Sequence, residues 1–147
     1  MLEGILEDTR VLAEETRLEF EVKLAPGIVV RADPSLVRTA LLNLFVNAVK
    51  YNEPGGKVLA ILESRGNEVL LTIGNSGPGI PEPDQARIFT RFHRVDAARQ
   101  RQVDGVGLGL SLAREIARAH GGELELKESR PGWTSFLLRM KLGEESS

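Results

Sequence analysis

Two asparagines, a lysine and two glycine-bearing loops carry the chemistry this chain can offer. Asn43, Asn47 and Lys50 recur at spacings of four and three, so a helix would bring them close together along its length. An amide oxygen is a hard, neutral ligand suited to Mg²⁺, an ion that takes few protein ligands and leaves its other positions to water and phosphate. A lysine one turn further on can reach a phosphate oxygen. Downstream, Asn75-Ser76-Gly77-Pro78-Gly79-Ile80 follows an apolar run, and Gly105-Val106-Gly107-Leu108-Gly109-Leu110 opens a helical pattern. Glycines let a backbone approach a ligand closely, and bare N–H groups at a helix start meet phosphate with the helix dipole behind them. In this order the three segments describe a box for a nucleotide.

Each segment also has a plainer reading. On a wheel at about 100° per residue, Asn47 falls between Leu36 and Ala40, inside the arc that holds Leu44 and Ala48, with Asn43 and Lys50 at its edge. An amide among core positions must be hydrogen-bonded or cost roughly 1–3 kcal/mol. Asn47 is therefore either a satisfied core asparagine or a ligand, and Lys50 either a phosphate contact or a solvated lysine. At the end of its strand Asn75 offers an acceptor for the exocyclic amino group of adenine, and Gly77 and Gly79 would let the purine lie against backbone. A strand followed by a glycine turn is also simply a turn. A dinucleotide fingerprint would need a strand immediately before Gly105, where a charged segment stands instead, and a Walker loop would need Gly-Lys-Ser/Thr.

The elements that must position these residues follow from periodicity and turn chemistry. Residues 3–17 have a weak helical pattern through Ile5, Leu6, Leu12 and Ala13, and Leu18, Phe20, Val22 and Leu24 alternate as a half-buried strand. Pro26-Gly27 predicts a turn, 28–32 a short strand, and Asp33-Pro34 the cap and first position of a helix running to about Tyr51. Residues 58–62 and 69–73 read as two strands that could form a hairpin across Arg65-Gly66-Asn67. A short helix is expected near 84–89, then a charged mobile loop, then a helix over 108–119 stopped by Gly121-Gly122, and strands over 123–127 and 134–142. Antiparallel-looking strand pairs separated by helices predict an α+β two-layer sandwich.

Composition limits the alternatives. At 147 residues, 41% hydrophobic and 27% charged, the chain suits one domain over 1–147, with a core over 18–142 and a frayed tail over 143–147. The net charge of −2 gives no global basic field for nucleic acid, although five arginines crowd between Arg87 and Arg101. Without cysteine there are no disulfides or thiolate metal sites, and no stretch resembles a signal peptide or a membrane span.

The ordered set resembles the catalytic and ATP-binding domain of sensor histidine kinases, in the superfamily shared with gyrase and MutL-type ATPases. Leu42–Tyr51 is similar to its N box, Asn75–Ile80 to G1, Ile88–Arg94 to the F box, Gly105–Leu110 to G2, and Gly132-Trp133-Thr134-Ser135-Phe136 to the last glycine box. The resemblance implies the Bergerat fold, a mixed and mostly antiparallel sheet with helices on one face, with F box and ATP lid over 81–106. It implies Mg²⁺ at Asn47, Asn43 assisting at metal and phosphates, Lys50 and Arg94 on phosphate oxygens, and Tyr51 beside the nucleotide. Asn75, Gly77, Gly79, Ile80, Arg91, Gly105, Gly107, Leu108, Gly109, Leu110 and Thr134 complete the implied ATP site.

Two positions refine that implication. The family's G1 box usually begins with aspartate; Asn75 keeps an acceptor oxygen but loses charge assistance, and its amide could flip to donate. Weaker adenine affinity or looser purine selectivity is the expectation. ATP-hydrolysing relatives generally carry glutamate at the place of Asn43, and an asparagine is a poor general base. Transfer to a protein histidine therefore fits better than hydrolysis. Neither His93, in the F box, nor His120, at a helix end where it would face the dipole, resembles the phosphoacceptor site. The acceptor is thus expected on a dimerisation domain upstream of Met1, with a cognate response regulator as further partner. The piece is expected to be cytoplasmic, with its parent anchored in the inner membrane. An anti-sigma-factor serine kinase, a pure ATPase and a non-catalytic nucleotide-binding module are the rival readings.

Overall fold

The computed structural model describes residues 1–89 and 109–142. The elements run α1 (Leu2–Leu12), a 3₁₀ turn (Glu14–Thr16), β1 (Glu19–Leu24), α2 (Pro34–Lys50), β2 (Lys57–Arg65) and β3 (Glu68–Asn75). After these come α3 (Glu82–Gln85), α4 (Gly109–Ala119), β4 (Glu123–Arg130) and β5 (Trp133–Lys141). The five strands form one sheet in the order β1-β2-β3-β5-β4. Only β1 and β2 pair in parallel, so the sheet is mixed and mostly antiparallel.

Alternation puts Val58 and Ala60 of β2, Leu71 and Ile73 of β3, Phe136 and Leu138 of β5 and Leu124 of β4 on one face. They form one core with Ile5 and Leu6 of α1, Leu41, Leu44 and Phe45 of α2, and Ala113, Ile116 and Ala117 of α4. The result is a two-layer α+β sandwich. Helix α2 begins where the sequence places it. Asp33 Oδ1 accepts from the Ser35 and Leu36 amides at 2.9 and 3.3 Å, and Pro34 occupies the first turn, where its missing N–H costs nothing.

Four expectations change. The strand over 28–32 shrinks to one bridge between Val30 and Leu142, because the chain turns into the α2 cap at Asp33 directly afterwards. Leu12 is exposed, and the buried face of α1 is completed by Thr9, whose hydroxyl donates to the Ile5 carbonyl at 2.7 Å. The short helix starts at Glu82 instead of Asp84, since Pro83 and the acidic Glu82 and Asp84 favour a first turn there. On α2 the buried arc is Ala40, Leu41, Leu44, Phe45 and Ala48, centred away from Asn47, and Leu36 is 43% exposed. Asn47 thus lies at the margin of the core instead of inside it. The expected mobile loop and the tail over 143–147 lie outside the described residues.

Candidate functional site

The rotation of α2 gives its polar edge a neighbour. Asn43, Asn47 and Lys50 follow one another along that edge, the asparagines half-buried and the lysine exposed. Helix α4 packs beside α2, and Asn43 Nδ2 donates a long hydrogen bond of 3.4 Å to the carbonyl of Gly109, the first residue of α4. The polar edge of α2 therefore meets the Gly109 end of α4, and the N-terminal end of a helix dipole favours anions. Leu110 packs against the core and anchors that end.

The other wall is the loop after β3. Asn75 is paired in the sheet with Val58 on one side and Thr134 on the other, and it is 5% exposed. Its Nδ2 donates to the Ser76 carbonyl at 2.8 Å. The flipped amide would set two acceptor oxygens at that distance, so the bond fixes the orientation and leaves Oδ1 as the acceptor. The freedom to flip inferred from the residue type is removed by its neighbour. Gly77, at φ +142°, brings its Cα against the Tyr51 carbonyl at the end of α2, where a Cβ would collide. Tyr51 and the loop are joined in this way.

The loop is also held from the β4–β5 hairpin, through Gly132 and Thr134 of the last glycine box and through Arg130 and Ser129, which the sequence did not single out. The Gly132 amide donates to the Gly77 carbonyl at 2.8 Å, Gly79 lies against the Arg130 carbonyl, and the Ile80 amide donates to Ser129 Oγ at 2.8 Å. Ser129 Oγ is in turn 2.9 Å from Thr134 Oγ1. Ile80 packs its side chain against the core, and Gln85 of α3 donates to its carbonyl at 2.9 Å. A bulge between Leu126 and Glu128 explains why Ser129 escapes notice. Strict alternation from Leu124 and Leu126 would aim Glu128 inward and Ser129 outward; the extra residue reverses that parity.

Farther along α4, Arg114 and Arg118 both donate through Nε to Glu123 Oε1, at 3.0 and 3.1 Å, and the Leu124 amide adds a bond at 2.9 Å. Partial burial opposes ionisation of Glu123. The hydrogen bonds from Arg114, Leu124 and Arg118, with the charge of Arg114, outweigh it and hold the carboxyl below its ordinary range. The Arg114 guanidinium lies 4.6 Å from the centre of the Phe89 ring, which meets Phe136 edge-on at 6.2 Å. His120 is more than a dipole partner. Nδ1 donates to the Ile116 carbonyl at 2.7 Å and Nε2 accepts from the Asp33 amide at 3.2 Å, tying the end of α4 to the start of α2.

Tyr51, Asn75, Gly77, Gly79, Ile80 and Thr134 are thus joined around the loop after β3, while Asn43 meets Gly109 at the start of α4, and Asn47 and Lys50 follow Asn43 along α2 towards Tyr51. Arg91, His93, Arg94, Gly105, Gly107 and Leu108 lie outside the described residues. An apolar cavity of about 610 Å³ opens at the other end of the sheet, lined by Leu24, Val37, Leu62, Val69 and Met140, and contains none of these residues.

Residues 32–144 match the family described as Histidine kinase-, DNA gyrase B-, and HSP90-like ATPase. The circadian input-output histidine kinase CikA of Synechococcus elongatus is 39% identical over 116 residues, 78% of this chain and 15% of that protein. A mycobacterial sensor histidine kinase, MprB, superposes with a TM-score of 0.84 at 31% identity, over 98% of this chain and 95% of that one. Full-length ShkA, solved in complex with AMPPNP, superposes with a TM-score of 0.79 at 27% identity, over 100% of this chain and 31% of that one. The chain belongs to this ATPase family, as an ATP-binding catalytic domain of the sensor histidine kinase type. It spans only 15–36% of the length of the curated relatives it matches. Among the described residues no helix is long and apolar enough to cross a membrane.

Proposed function

We propose that this chain binds Mg-ATP between the α2 edge and the loop after β3, and transfers the γ-phosphoryl group to a histidine on a separate dimerisation domain. The observation that carries the reading is the meeting of Asn43 with Gly109, which sets an amide-bearing helix edge against the Gly109 end of α4. Asn75 Oδ1 accepts from the adenine amino group, while Gly77 and Gly79 let the loop pack closely on the Tyr51 and Arg130 carbonyls and so hold its backbone beside the base. Lys50 neutralises phosphate charge from the exposed end of the α2 edge. Tyr51 flanks the nucleotide at the C-terminus of α2.

The donor set suits magnesium. Asn47 supplies one neutral hard oxygen, and Mg²⁺ takes few protein ligands and leaves its other positions to water and phosphate. Mg²⁺ held there, with Asn43 beside it, would neutralise the phosphates and orient them for in-line transfer. The roles of Arg91 and Arg94 on phosphate, and of the Gly105, Gly107 and Leu108 backbone, belong to the same proposal. So do a cognate response regulator and a cytoplasmic setting in a membrane-anchored parent.

Two features favour transfer over hydrolysis. Asparagine at position 43 cannot serve as the general base that activates water at neutral pH. Both nitrogens of His120 are engaged, so an acceptor on another domain fits better than this imidazole. Incubation with γ-labelled ATP and a histidine-bearing dimerisation helix should give acid-labile phosphohistidine on the helix. Acid-stable phosphoserine would instead indicate an anti-sigma-type kinase. Steady phosphate release from the chain alone would indicate an ATPase, and binding without either reaction a non-catalytic module.

A further inference from the structure

We propose that Ser129 is a positioning residue for the base-binding loop, a role that rests on the nucleotide reading of the site. The β4 bulge between Leu126 and Glu128 turns its hydroxyl onto the helix-covered face of the sheet, opposite Thr134. There Oγ accepts the Ile80 amide at 2.8 Å and bonds Thr134 Oγ1 at 2.9 Å. Thr134 is the sheet partner of Asn75, so the chain of contacts joins the last residue of the loop to the strand beside its first.

The β4–β5 hairpin touches the loop at Gly77, Gly79 and Ile80, and the first two contacts use hairpin backbone alone. Ser129 supplies the only side chain among these three contacts. Its removal releases the Ile80 amide and leaves that end to the Gln85 bond and side-chain packing, while the Gly77 end stays bound to Gly132. The loop then pivots about Gly77, and the spacing between the Asn75 acceptor and the backbone facing the base loses definition. Such a hydroxyl acts on the base and not on the phosphates. It should therefore affect AMP, ADP and ATP alike and change discrimination between adenine and hypoxanthine.

The experiment measures dissociation constants of AMP, ADP, ATP and ITP for the whole chain and for its Ser129→Ala and Ser129→Thr variants. It adds hydrogen exchange at the Ile80 and Gly132 amides without nucleotide. Ser129→Ala is expected to weaken the three adenine nucleotides by a common factor of about five to ten. It should also shrink the ATP-over-ITP ratio and speed exchange at Ile80 more than at Gly132, with Ser129→Thr restoring all three. Fast Ile80 exchange or a lowered melting temperature, with affinities and base ratio unchanged, would reduce Ser129 to a structural residue and overturn the proposal. A loss that grows from AMP to ATP would overturn it too, by placing the effect at the phosphates. Failure of the unmodified chain to bind any nucleotide would instead reject the underlying reading, and the role of Ser129 with it.

Discussion

Asn75 and Asn47 are the same residue type in opposite settings. Asn75 closes a central strand, buried, with Nδ2 bonded to Ser76 and the following loop held from α2 on one side and from the β4–β5 hairpin on the other. Asn47 stands half-buried on a helix edge, and among the described residues its amide has no hydrogen-bonded partner. The first amide is oriented by its neighbour; on the proposed reading, a ligand orients the second. The difference suits the two ends of a nucleotide. A base is rigid and is selected by the direction of its donors and acceptors, so its site gains from preorganisation. A metal-bound triphosphate is flexible and highly charged, and hard oxygens that can adjust meet it more readily.

Removing each amide in turn should separate the two settings. Asn47→Ala is expected to lower phosphotransfer to a dimerisation helix by about a hundredfold or more, as loss of a metal ligand does. Because that amide supports little else, the melting temperature should move by no more than a few degrees. A large loss of stability would mean that Asn47 is a core residue after all. Gly77→Ala should act in the reverse sense. The positive φ alone costs about 1–3 kcal/mol for a residue with a Cβ, and the Tyr51 carbonyl adds to it, so urea denaturation should show the damage before any activity assay.

Asn75→Asp is the sharpest test of the fixed amide. A carboxylate cannot donate to the Ser76 carbonyl, and in that buried position it would face the carbonyl oxygen 2.8 Å away. Against the expectation from residue type alone, the variant should melt lower and bind ATP about tenfold more weakly at pH 8, recovering in part as acid protonates it, because the Ser76 bond is lost. Tighter binding with unchanged stability would show that charge assistance matters more than orientation here. The smallest effect belongs to Glu123. Its carboxyl is held below the ordinary value of 4.5, so its stabilising contribution is complete above that pH and disappears as pH falls through the lower folded value. Acid titration of stability should therefore show one carboxylate's worth of slope below pH 4.5 that Glu123→Gln removes.

How much of this was legible in the sequence follows from which forces act locally. The α2 start was readable because Asp33 and Pro34 act within one turn, and the β2–β3 hairpin because alternation and a glycine turn are local signals. The glycines of the loop after β3 stood out as well. Their reason did not, since the surfaces that exclude a Cβ are the carbonyls of Tyr51 and Arg130, distant in sequence. The wheel for α2 misplaced Asn47 because Leu36 counts as apolar in a pattern but lies exposed in the first turn, while Phe45 draws the buried arc the other way. Ser129 was hidden by the bulge, whose one extra residue inverts the alternation that a sequence reader relies on. Fold class survived these local errors because helix and strand order alone determine it.

Calorimetric titration of the chain with ATP, with and without Mg²⁺, asks whether α2 and the loop after β3 enclose a Mg-ATP site. Saturable binding of one ATP per chain is expected, strengthened by Mg²⁺, with that strengthening lost in Asn47→Ala. No heat of binding at millimolar ATP, with or without the metal, would contradict it.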